Sequence, residues 1–200
     1  MKSRVLSIDT LIQACIPGLA LSILGTILIA LSARISFLTP LSPVPVTLQV
    51  AAVLLAGMVL GSKWGTWTVI QYILVGLMGA PIFAMGLGGP GVIVSPSFGY
   101  LAAFVPAAWI AGRLSETGRK YFLRNLLIAA SGVAVIYSGG FLWLSGSLIL
   151  SGLTIGSAFL GAWTTGIIPF VIVDMLKILL VAGLTSVAAS PMTNPANTKY

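Results

Sequence analysis

Long uncharged apolar runs alternate along this chain with short polar or glycine- and proline-rich interruptions. Residues 11–33 contain no charged side chain. A helix of that length, at about 1.5 Å rise per residue, can cross a hydrocarbon layer of about 30 Å. The run exceeds the roughly 7–15 apolar residues of a secretory signal, so we interpret it as a retained first helix. The pattern predicts five further helices, near residues 46–62, 64–80, 100–112, 125–146 and 167–187.

Three of the interruptions carry no charge, and each is predicted to be a loop at least in part. Residues 36–45 contain three prolines, which remove backbone donors and restrict the preceding residues, so we predict an extended loop. Residues 85–99 carry five glycines and two prolines. Non-helical backbone at membrane depth must lie within protein or line a cavity, so this segment is predicted to cap or wall a pocket. Residues 145–166 are predicted to form a loop plus part of a helix.

Composition places these helices in a membrane. Of the 200 residues, 58% are hydrophobic and 6% are charged, whereas soluble domains carry about 25% charged residues. The charges are too few to cover a water-soluble surface, and the chain is too apolar for disorder. We therefore predict an all-α membrane protein with one transmembrane domain, residues 1–189, followed by a flexible cytoplasmic tail, residues 190–200.

The formal net charge of +7 is interpreted as a topology signal, and no nucleic-acid partner is predicted, because the ten basic residues are scattered near the ends of apolar runs. With six helices both termini lie on one side of the membrane. Arg34 lies on the other side and Lys177 lies within a span. Because basic residues mark cytoplasmic segments, we predict cytoplasmic termini and outward-facing uncharged loops. The basic residues assigned to the cytoplasmic side are Lys2, Arg4, Lys63, Arg113, Arg119, Lys120, Arg124 and Lys199.

Cysteine and histidine usage argues against a catalytic centre. The chain has no histidine, and Cys15 is its single cysteine. Zinc sites and Ser-His-Asp or Cys-His centres therefore lack their usual residues. No G-x-x-x-x-G-K-[ST] motif occurs, so an ATP-driven step would require another chain. These features favour a binding or transport protein that is not an enzyme and carries no cofactor.

Two ionisable residues, Asp174 and Lys177, lie well inside the last predicted span. A charge at the centre of a membrane helix costs roughly 2.5–3.5 kcal/mol, and such residues face a cavity or one another. Because they are three residues apart, both lie on the same helix face. We interpret them as a polar ligand site or a proton relay, with a structural ion pair as the alternative.

Weaker candidates lie near the predicted outer face. The segment Gly86–Gly91 matches G-x-G-x-x-G, but it follows a membrane helix, so no nucleotide site is predicted. We interpret it as a loop whose backbone approaches a ligand closely, with a plain connector as the alternative. Arg34 is interpreted as an interfacial residue or as the partner of an anionic group. Gln49 offers an uncharged donor and acceptor near the same face.

The first predicted helix carries a stripe of small side chains. Such a stripe allows membrane helices to approach closely, so it predicts either packing within the bundle or docking onto a partner protein. The stripe consists of Ala14, Gly18, Ser22, Thr26 and Ala30.

Several motifs taken together resemble those of the BioY family, the substrate-capture (S) components of energy-coupling-factor (ECF) biotin transporters. The resemblance covers residues 40–180 in order, and the combination is specific although each motif alone is weak. The motifs are Ser42-Pro-Val-Pro-Val-Thr-Leu-Gln49, Gly79-Ala-Pro-Ile-Phe83, Gly86-Leu-Gly-Gly89, Pro96-Ser-Phe-Gly-Tyr100 and Asp174-Met-Leu-Lys177.

The resemblance implies a bundle of six transmembrane helices with an outward-facing pocket for biotin. In the family the proline loop, the glycine loop and the Asp-x-x-Lys pair line this pocket. Two positions differ from other members: Leu87 stands where some have a polar residue, and Ile172-Val173 stands where Pro-Gly is frequent. The residues to which the resemblance assigns ligand contacts are Asp174, Lys177, Gly86, Leu87, Gly88 and Tyr100.

The chemistry of biotin suggests a role for each candidate. Asp174 would accept hydrogen bonds from the ureido N–H groups. Lys177 would donate to the ureido oxygen or, alternatively, neutralise Asp174 so that both charges are tolerated. Arg34 is the candidate for the carboxylate, and Gln49 is a further polar candidate. The aromatic candidates for stacking on the fused ring are Phe83, Tyr100 and Trp163.

The resemblance also implies partners in separate chains: a transmembrane coupling subunit and ATP-binding subunits, in the inner membrane of a prokaryote. The expected docking face for the coupling subunit is the stripe that includes Ala14, Gly18 and Ser22. Other functions stay open at this point. The chain could bind a different vitamin on the same scaffold, act as a solitary proton-coupled porter, or be a membrane enzyme with Asp174 and Lys177 as an acid–base pair.

Overall fold

The computed structural model describes residues 8–118 and 121–189, with side chains for residues 16–118 and 121–188, so the predicted tail lies outside the described residues. The described chain is mostly helical. The α-helices are α1 (Ile8–Arg34), α2 (Gln49–Leu77), α3 (Phe98–Ser115), α4 (Phe122–Leu150), α5 (Ile155–Gly166) and α6 (Ile168–Ala189). The strands are β1 (Ser36–Thr39) and β2 (Ser42–Thr47), and short 3-10 turns cover Ala84–Gly86 and Pro90–Val94.

The helices present a lipid-facing surface. Large apolar side chains such as Leu31, Leu127 and Ile172 are more than half exposed on the outside of the bundle. Soluble monomers rarely expose so much contiguous apolar surface, so these faces lie against lipid and the chain is a multi-pass membrane protein. The helical segments that are long and apolar enough to cross a membrane are Ile16–Arg34, Gln49–Leu77, Phe122–Leu150 and Ile155–Ala188.

Helix α2 is a hairpin whose two arms, residues 49–60 and 62–77, run in opposite directions. Gly61 has φ +80° and ψ 176°, a conformation that interrupts the helix and that glycine adopts without strain. A Cβ added to Gly65 would lie 2.6 Å from the Gly57 Cα, whereas eight residues of continuous helix would separate these positions by about 12 Å. The predicted helix end near residues 61–63 is therefore confirmed.

The proline-rich segment forms a β-hairpin between α1 and α2. Strands β1 and β2 pair antiparallel, with Ser36 opposite Thr47. The prolines of β2 alternate with the buried Val44 and Val46, as expected for a strand with one face towards the core. The predicted all-α class is thus corrected to a helical bundle with one small hairpin. Because β2 continues to Thr47, α2 begins at Gln49 and not at residues 46–47 as predicted.

Helices α3, α4 and α6 surround the α2 hairpin. Helix α3 packs against α2 and α4, while α6 packs against α2, α4 and α5. The segment predicted as loop plus partial helix contains the end of α4, a turn in which Gly152 has φ +99°, and then α5. Thr154 caps α5 by accepting a hydrogen bond from the Ser157 N–H. Helix α5 also contacts β2, so the β-hairpin and α5 lie at the same end of the bundle.

The small-residue stripe of α1 faces the second arm of α2. The indole of Trp64 occupies the space that a side chain at Gly18 would fill. Ser22 is fully buried, and its hydroxyl donates to the Leu19 carbonyl at 2.8 Å. The side chain of Ala14 lies outside the described residues. In this structure Gly18 therefore packs against α2 within the chain and Ser22 is buried, while docking of the stripe onto a partner stays a prediction.

Glu116 joins the turn of α2 to the end of α3. Its Oε1 accepts the Ser62 N–H at 3.0 Å and the Ser62 hydroxyl at 2.5 Å. Its Oε2 accepts from the Arg113 guanidinium at 2.9 Å. The first N–H groups of a helix have no partner within that helix, so Glu116 supplies one from another helix. The two hydrogen bonds from Ser62, together with Arg113, lower the pKa of the Glu116 carboxyl to about 2.

We expect this contact to give stability that depends on pH. Because the folded pKa lies below the ordinary 4.5, the contribution is complete above pH 4.5 and is lost as the pH falls towards 2. Glu116→Gln should therefore lower the thermal midpoint in detergent at pH 7 and converge with wild type at acid pH. The chain has only three acidic residues, so competing titrations are few. Ser62→Ala is the matched control and should reduce the pH dependence without abolishing it. A gap between wild type and Glu116→Gln that is equal at every pH would contradict this account.

Candidate functional site

A cavity of about 360 Å³ lies near the hairpin end of the bundle. It is bounded by the β-hairpin, the start of α2, residues 83–97 and the helices α3, α4 and α6. Most of its wall is hydrocarbon. The apolar side chains that line it include Val44, Val92, Leu101, Phe104, Ile136 and Phe170. A ligand that fits this cavity must therefore have a substantial apolar body.

The two charged side chains of this cavity, both on α6, form a cluster with a tyrosine of α4. The Lys177 ammonium donates to Asp174 Oδ1 at 2.5 Å, and the Tyr137 hydroxyl donates to Asp174 Oδ2 at 2.7 Å. Asp174 and Lys177 are 3% and 5% exposed. Such burial is tolerable because each charge has a partner. An ionised carboxylate can accept about four hydrogen bonds, so both oxygens keep an acceptor position for a ligand.

Aromatic rings form one side of the cavity beside this cluster. The rings of Tyr100 and Phe170 have centroids 6.3 Å apart and are tilted by 40°. The Tyr100 hydroxyl donates to the Gly166 carbonyl at 2.7 Å, which fixes its ring as part of the wall. Trp163, predicted to stack on a ligand, does not line the cavity; it lies on α5 with half of its surface exposed. Phe170, one turn before Asp174 on α6, supplies the second ring.

Gln49 belongs to a second buried network, formed with the second arm of α2. Its amide donates to the Tyr72 hydroxyl at 2.5 Å, and that hydroxyl donates to the Ile82 carbonyl at 3.0 Å. The Tyr72 ring meets Phe83 edge-on, with centroids 5.4 Å apart. Both Gln49 and Phe83 line the cavity. The network therefore fixes the position of Phe83 from the two arms of α2.

The glycine loop covers the cavity between Phe83 and Val92. Leu87 contributes its side chain to the lining. Gly86 has φ +74°, and a Cβ added to Gly88 would collide with the carbonyl of Ala80. Gly86 and Gly88 thus shape the loop without lining the cavity themselves, whereas Ala84, Met85 and Leu87 of this loop do line it.

Contacts from α1 and β1 hold this loop in place. Met85 has φ +59°, an unusual value for a residue with a side chain, and its N–H donates to the Ser36 hydroxyl at 3.2 Å. Arg34 donates to the Pro81 carbonyl at 2.5 Å and lies beside Gly86. Arg34 is exposed and is not part of the cavity lining. In this structure its guanidinium fastens the loop from outside.

The sequence predictions therefore divide into three groups by position. Those in the cavity wall are Asp174, Lys177, Phe83, Leu87, Tyr100 and Gln49. Those that shape or fasten the loop are Gly86, Gly88 and Arg34. Trp163 lies apart from the cavity. The main polar residue that sequence reasoning missed is Tyr137, whose signal is an isolated phenol within the long apolar run of α4.

Comparison with known proteins gives consistent matches. The profile of the BioY family matches residues 3–193. A biotin transporter BioY of Thermotoga maritima is 38% identical over 78% of this chain and 86% of its own length. A probable biotin transporter BioY of Pyrococcus horikoshii is 37% identical over 68% of this chain and 75% of its own length. A biotin transporter BioY of Rhizobium etli is 28% identical over 80% of this chain and 88% of its own length.

A solved structure has the same fold. It is the crystal structure, at 2.1 Å, of the S-component for biotin from an ECF-type ABC transporter. The two chains superpose with a TM-score of 0.75 and 23% identity, over 88% of this chain and 92% of the other.

Proposed function

The chain belongs to the BioY family, and from this membership we propose that it captures biotin for uptake across a membrane. The observation that carries the proposal is a charged cluster, Asp174 and Lys177, in a largely apolar cavity. Biotin has the matching distribution: an apolar fused ring, a ureido head with two N–H donors and one carbonyl acceptor, and a carboxylate tail. A different vitamin on the same scaffold is the competing ligand.

The ureido head fits the cluster in α6 and α4. Asp174 accepts the ureido N–H groups through the acceptor positions that Lys177 and Tyr137 leave free. Lys177 donates to the ureido oxygen with a second ammonium hydrogen. Tyr137 acts as a positioning residue, because its hydroxyl fixes the orientation of the Asp174 carboxylate. A buried ureido group without these partners would lose its hydrogen bonds to water uncompensated.

The orientation of the ureido head determines where the fused ring and the carboxylate tail of biotin lie. The fused ring lies against Tyr100 and Phe170, whose rings form the wall beside the cluster. The tail points towards the covering loop, where the hydroxyls of Ser95 and Ser97 line the cavity. Arg34 lies beyond that loop, so its contribution to carboxylate binding would be electrostatic and would not include direct contact in this arrangement.

Uptake of a captured ligand depends on how the chain crosses the membrane and on a source of energy. We propose six membrane crossings, with the two arms of α2 as separate crossings, and cytoplasmic termini in the inner membrane of a prokaryote. The basic residues at the end opposite the β-hairpin, including Lys63, Arg113 and Arg124, support this orientation. Because the sequence has no ATP-binding motif, the energy would come from separate ATP-binding subunits through a coupling subunit, and the chain itself is proposed to transport and not to catalyse.

Binding of radiolabelled biotin to the purified protein tests the proposal. Asp174→Asn should lower the affinity by the value of one charged hydrogen bond, about 1.5–3 kcal/mol, which is roughly 10- to 150-fold. Asp9→Asn makes the same change in the first turn of α1 and should leave binding unchanged. Stronger competition by another vitamin would reassign the ligand. If the chain alone carried biotin into liposomes, the proposed function would change from a capture subunit to a solitary porter.

Arg34 gives a second prediction about binding. Removing it by Arg34→Ala frees the loop at Pro81, so we expect biotin to dissociate faster, by roughly two- to tenfold for one hydrogen bond. Arg34→Lys retains the charge but loses the forked donor of the guanidinium. Its biotin dissociation rate should therefore lie between those of wild type and Arg34→Ala. Dissociation after a rapid chase with unlabelled biotin provides the measurement. Full restoration by lysine would favour an electrostatic contact with the carboxylate over fastening of the loop.

A further inference from the structure

A groove of about 510 Å³ lies on the outside of the bundle, between α1 and the second arm of α2. It is separate from the cavity described above and is lined by none of the same residues. Its walls are almost entirely apolar, and its one charged residue is Lys63. The side chains that line it are Ile16, Leu19, Lys63, Trp64, Trp67 and Ile70, with Thr66 between the two indoles.

The shape of the groove is set by the packing of α1 on α2. The indole of Trp64 fits into the notch left by Gly18, so one wall is fixed by a contact inside the chain. Trp67 and Leu19 are more than 40% exposed beside it. From Lys63 to Ile70 the groove follows about two turns of helix, which is about 10 Å. A fixed apolar channel of this kind suits a flexible hydrocarbon chain.

The groove carries a positive charge at one end, supplied by Lys63. The Lys63 ammonium lies 5.4 Å from the centre of the Trp64 ring. Among the described side chains the two carboxylates are engaged elsewhere, Glu116 with Arg113 and Asp174 with Lys177. Lys63 therefore has no anionic partner among the described side chains. An anion from outside the chain would complement it.

We propose that this groove binds an anionic phospholipid, with the phosphate at Lys63 and an acyl chain along Trp67 and Ile70. The groove faces lipid, so such a molecule is present at the membrane surface. Tryptophan is favoured at the headgroup level, and Lys63 lies two residues after Gly61, where α2 turns. A soluble anion would not use the apolar walls, and a zwitterionic lipid carries the same phosphate but adds no net negative charge to balance Lys63.

Native mass spectrometry of the delipidated full-length protein tests the proposal. Phosphatidylglycerol and phosphatidylcholine with identical acyl chains are offered in equal amounts. We expect the wild-type protein to retain phosphatidylglycerol in preference, by about fivefold for one lysine near an anionic headgroup. Lys63→Gln should bring the ratio close to one. Leu19→Trp, which fills the groove without changing charge, should reduce the binding of both lipids.

Arg113→Gln is the matched control, because it removes one exposed positive charge outside the groove. It should leave the preference intact. Equal effects of Arg113→Gln and Lys63→Gln would mean diffuse attraction and would overturn the site. No preference in the wild-type protein would also overturn it, leaving the groove to an apolar helix of a partner chain. These outcomes do not depend on biotin binding, so the site and the proposed function can fail separately.

Discussion

Asp174→Leu is expected to lower the free energy of unfolding by about 3–5 kcal/mol, the cost of breaking a buried ion pair. The substitution leaves the Lys177 ammonium in an apolar wall with its carboxylate partner removed, and it also removes the acceptor of the Tyr137 hydroxyl. Both side chains of the pair are almost fully buried, so the water that reaches the unpaired ammonium is limited to that within the cavity. The site residues therefore also hold α6 against α4.

A double-mutant cycle separates this structural role from ligand binding. Lys177→Met should be destabilising for the same reason, whereas Asp174→Leu and Lys177→Met together should recover much of the loss, because no unpaired charge remains. Tyr137→Phe removes only one neighbouring hydroxyl and should cost about 1 kcal/mol. Thermal midpoints in detergent and the monodisperse fraction on gel filtration are the measurements.

Biotin binding by the same variants gives an independent result. The double variant should fold and yet fail to bind, since the ureido head would face only apolar groups. If the double variant bound biotin as well as wild type, Asp174 and Lys177 would be a structural pair and the ligand would lie elsewhere in the cavity. If the loss in the double variant equalled the sum of the losses in the two single variants, the pair would carry no coupling energy and the account of its burial would be wrong.

The charged part of the site was predictable because charge inside a membrane is costly. Asp174 and Lys177 are conspicuous in an apolar run, and a spacing of three residues places them on one helix face whatever the tertiary structure. Tyr137 lies 37 residues earlier and reaches Asp174 only through the packing of α4 on α6. No local pattern encodes that contact. Tyrosine is also common at the membrane interface, so from the sequence alone Tyr137 could not be distinguished from an interfacial residue.

Parts of the fold were predictable for the same local reason. Gly61 interrupts α2 because a glycine followed by polar residues at the end of an apolar run favours a turn. The stripe on α1 showed that a close approach was required, but a pattern on one helix cannot identify the helix opposite. The partner is Trp64, whose large ring gave no sign of fitting beside Gly18. In the proline-rich segment, three prolines favoured a loop in the sequence analysis, although Val44 and Val46 follow the alternating pattern of a strand.

Substitution at Gly57 is the other change expected to have a large effect. A side chain there would collide with the backbone carbonyl of Ala108 on α3 and lie 3.0 Å from the Ala108 Cα. On its other side Gly57 faces the backbone of Gly65 in the second arm of α2. Three helical backbones thus meet at a point where only hydrogen fits, and small residues are what allow membrane helices to approach this closely.

Gly57→Leu should therefore separate α3 from the α2 hairpin, because backbone atoms cannot rotate away as a flexible side chain can. Overpacking of a core costs about 1–3 kcal/mol even where side chains can adjust, so we expect at least this loss from Gly57→Ala and a misfolded or aggregated protein from Gly57→Leu.

Gly183 on α6 is the matched control, since an added Cβ there meets no atom within 4 Å. Gly183→Ala should be neutral or stabilising by up to about 1 kcal/mol, because alanine favours a helix more than glycine does. The monodisperse yield and thermal midpoint of the four proteins, wild type included, decide between the alternatives. A Gly57→Ala variant as stable as Gly183→Ala would show that α3 can move away from α2 at little cost, and the close packing of these helices would then not be what holds the cavity wall in place.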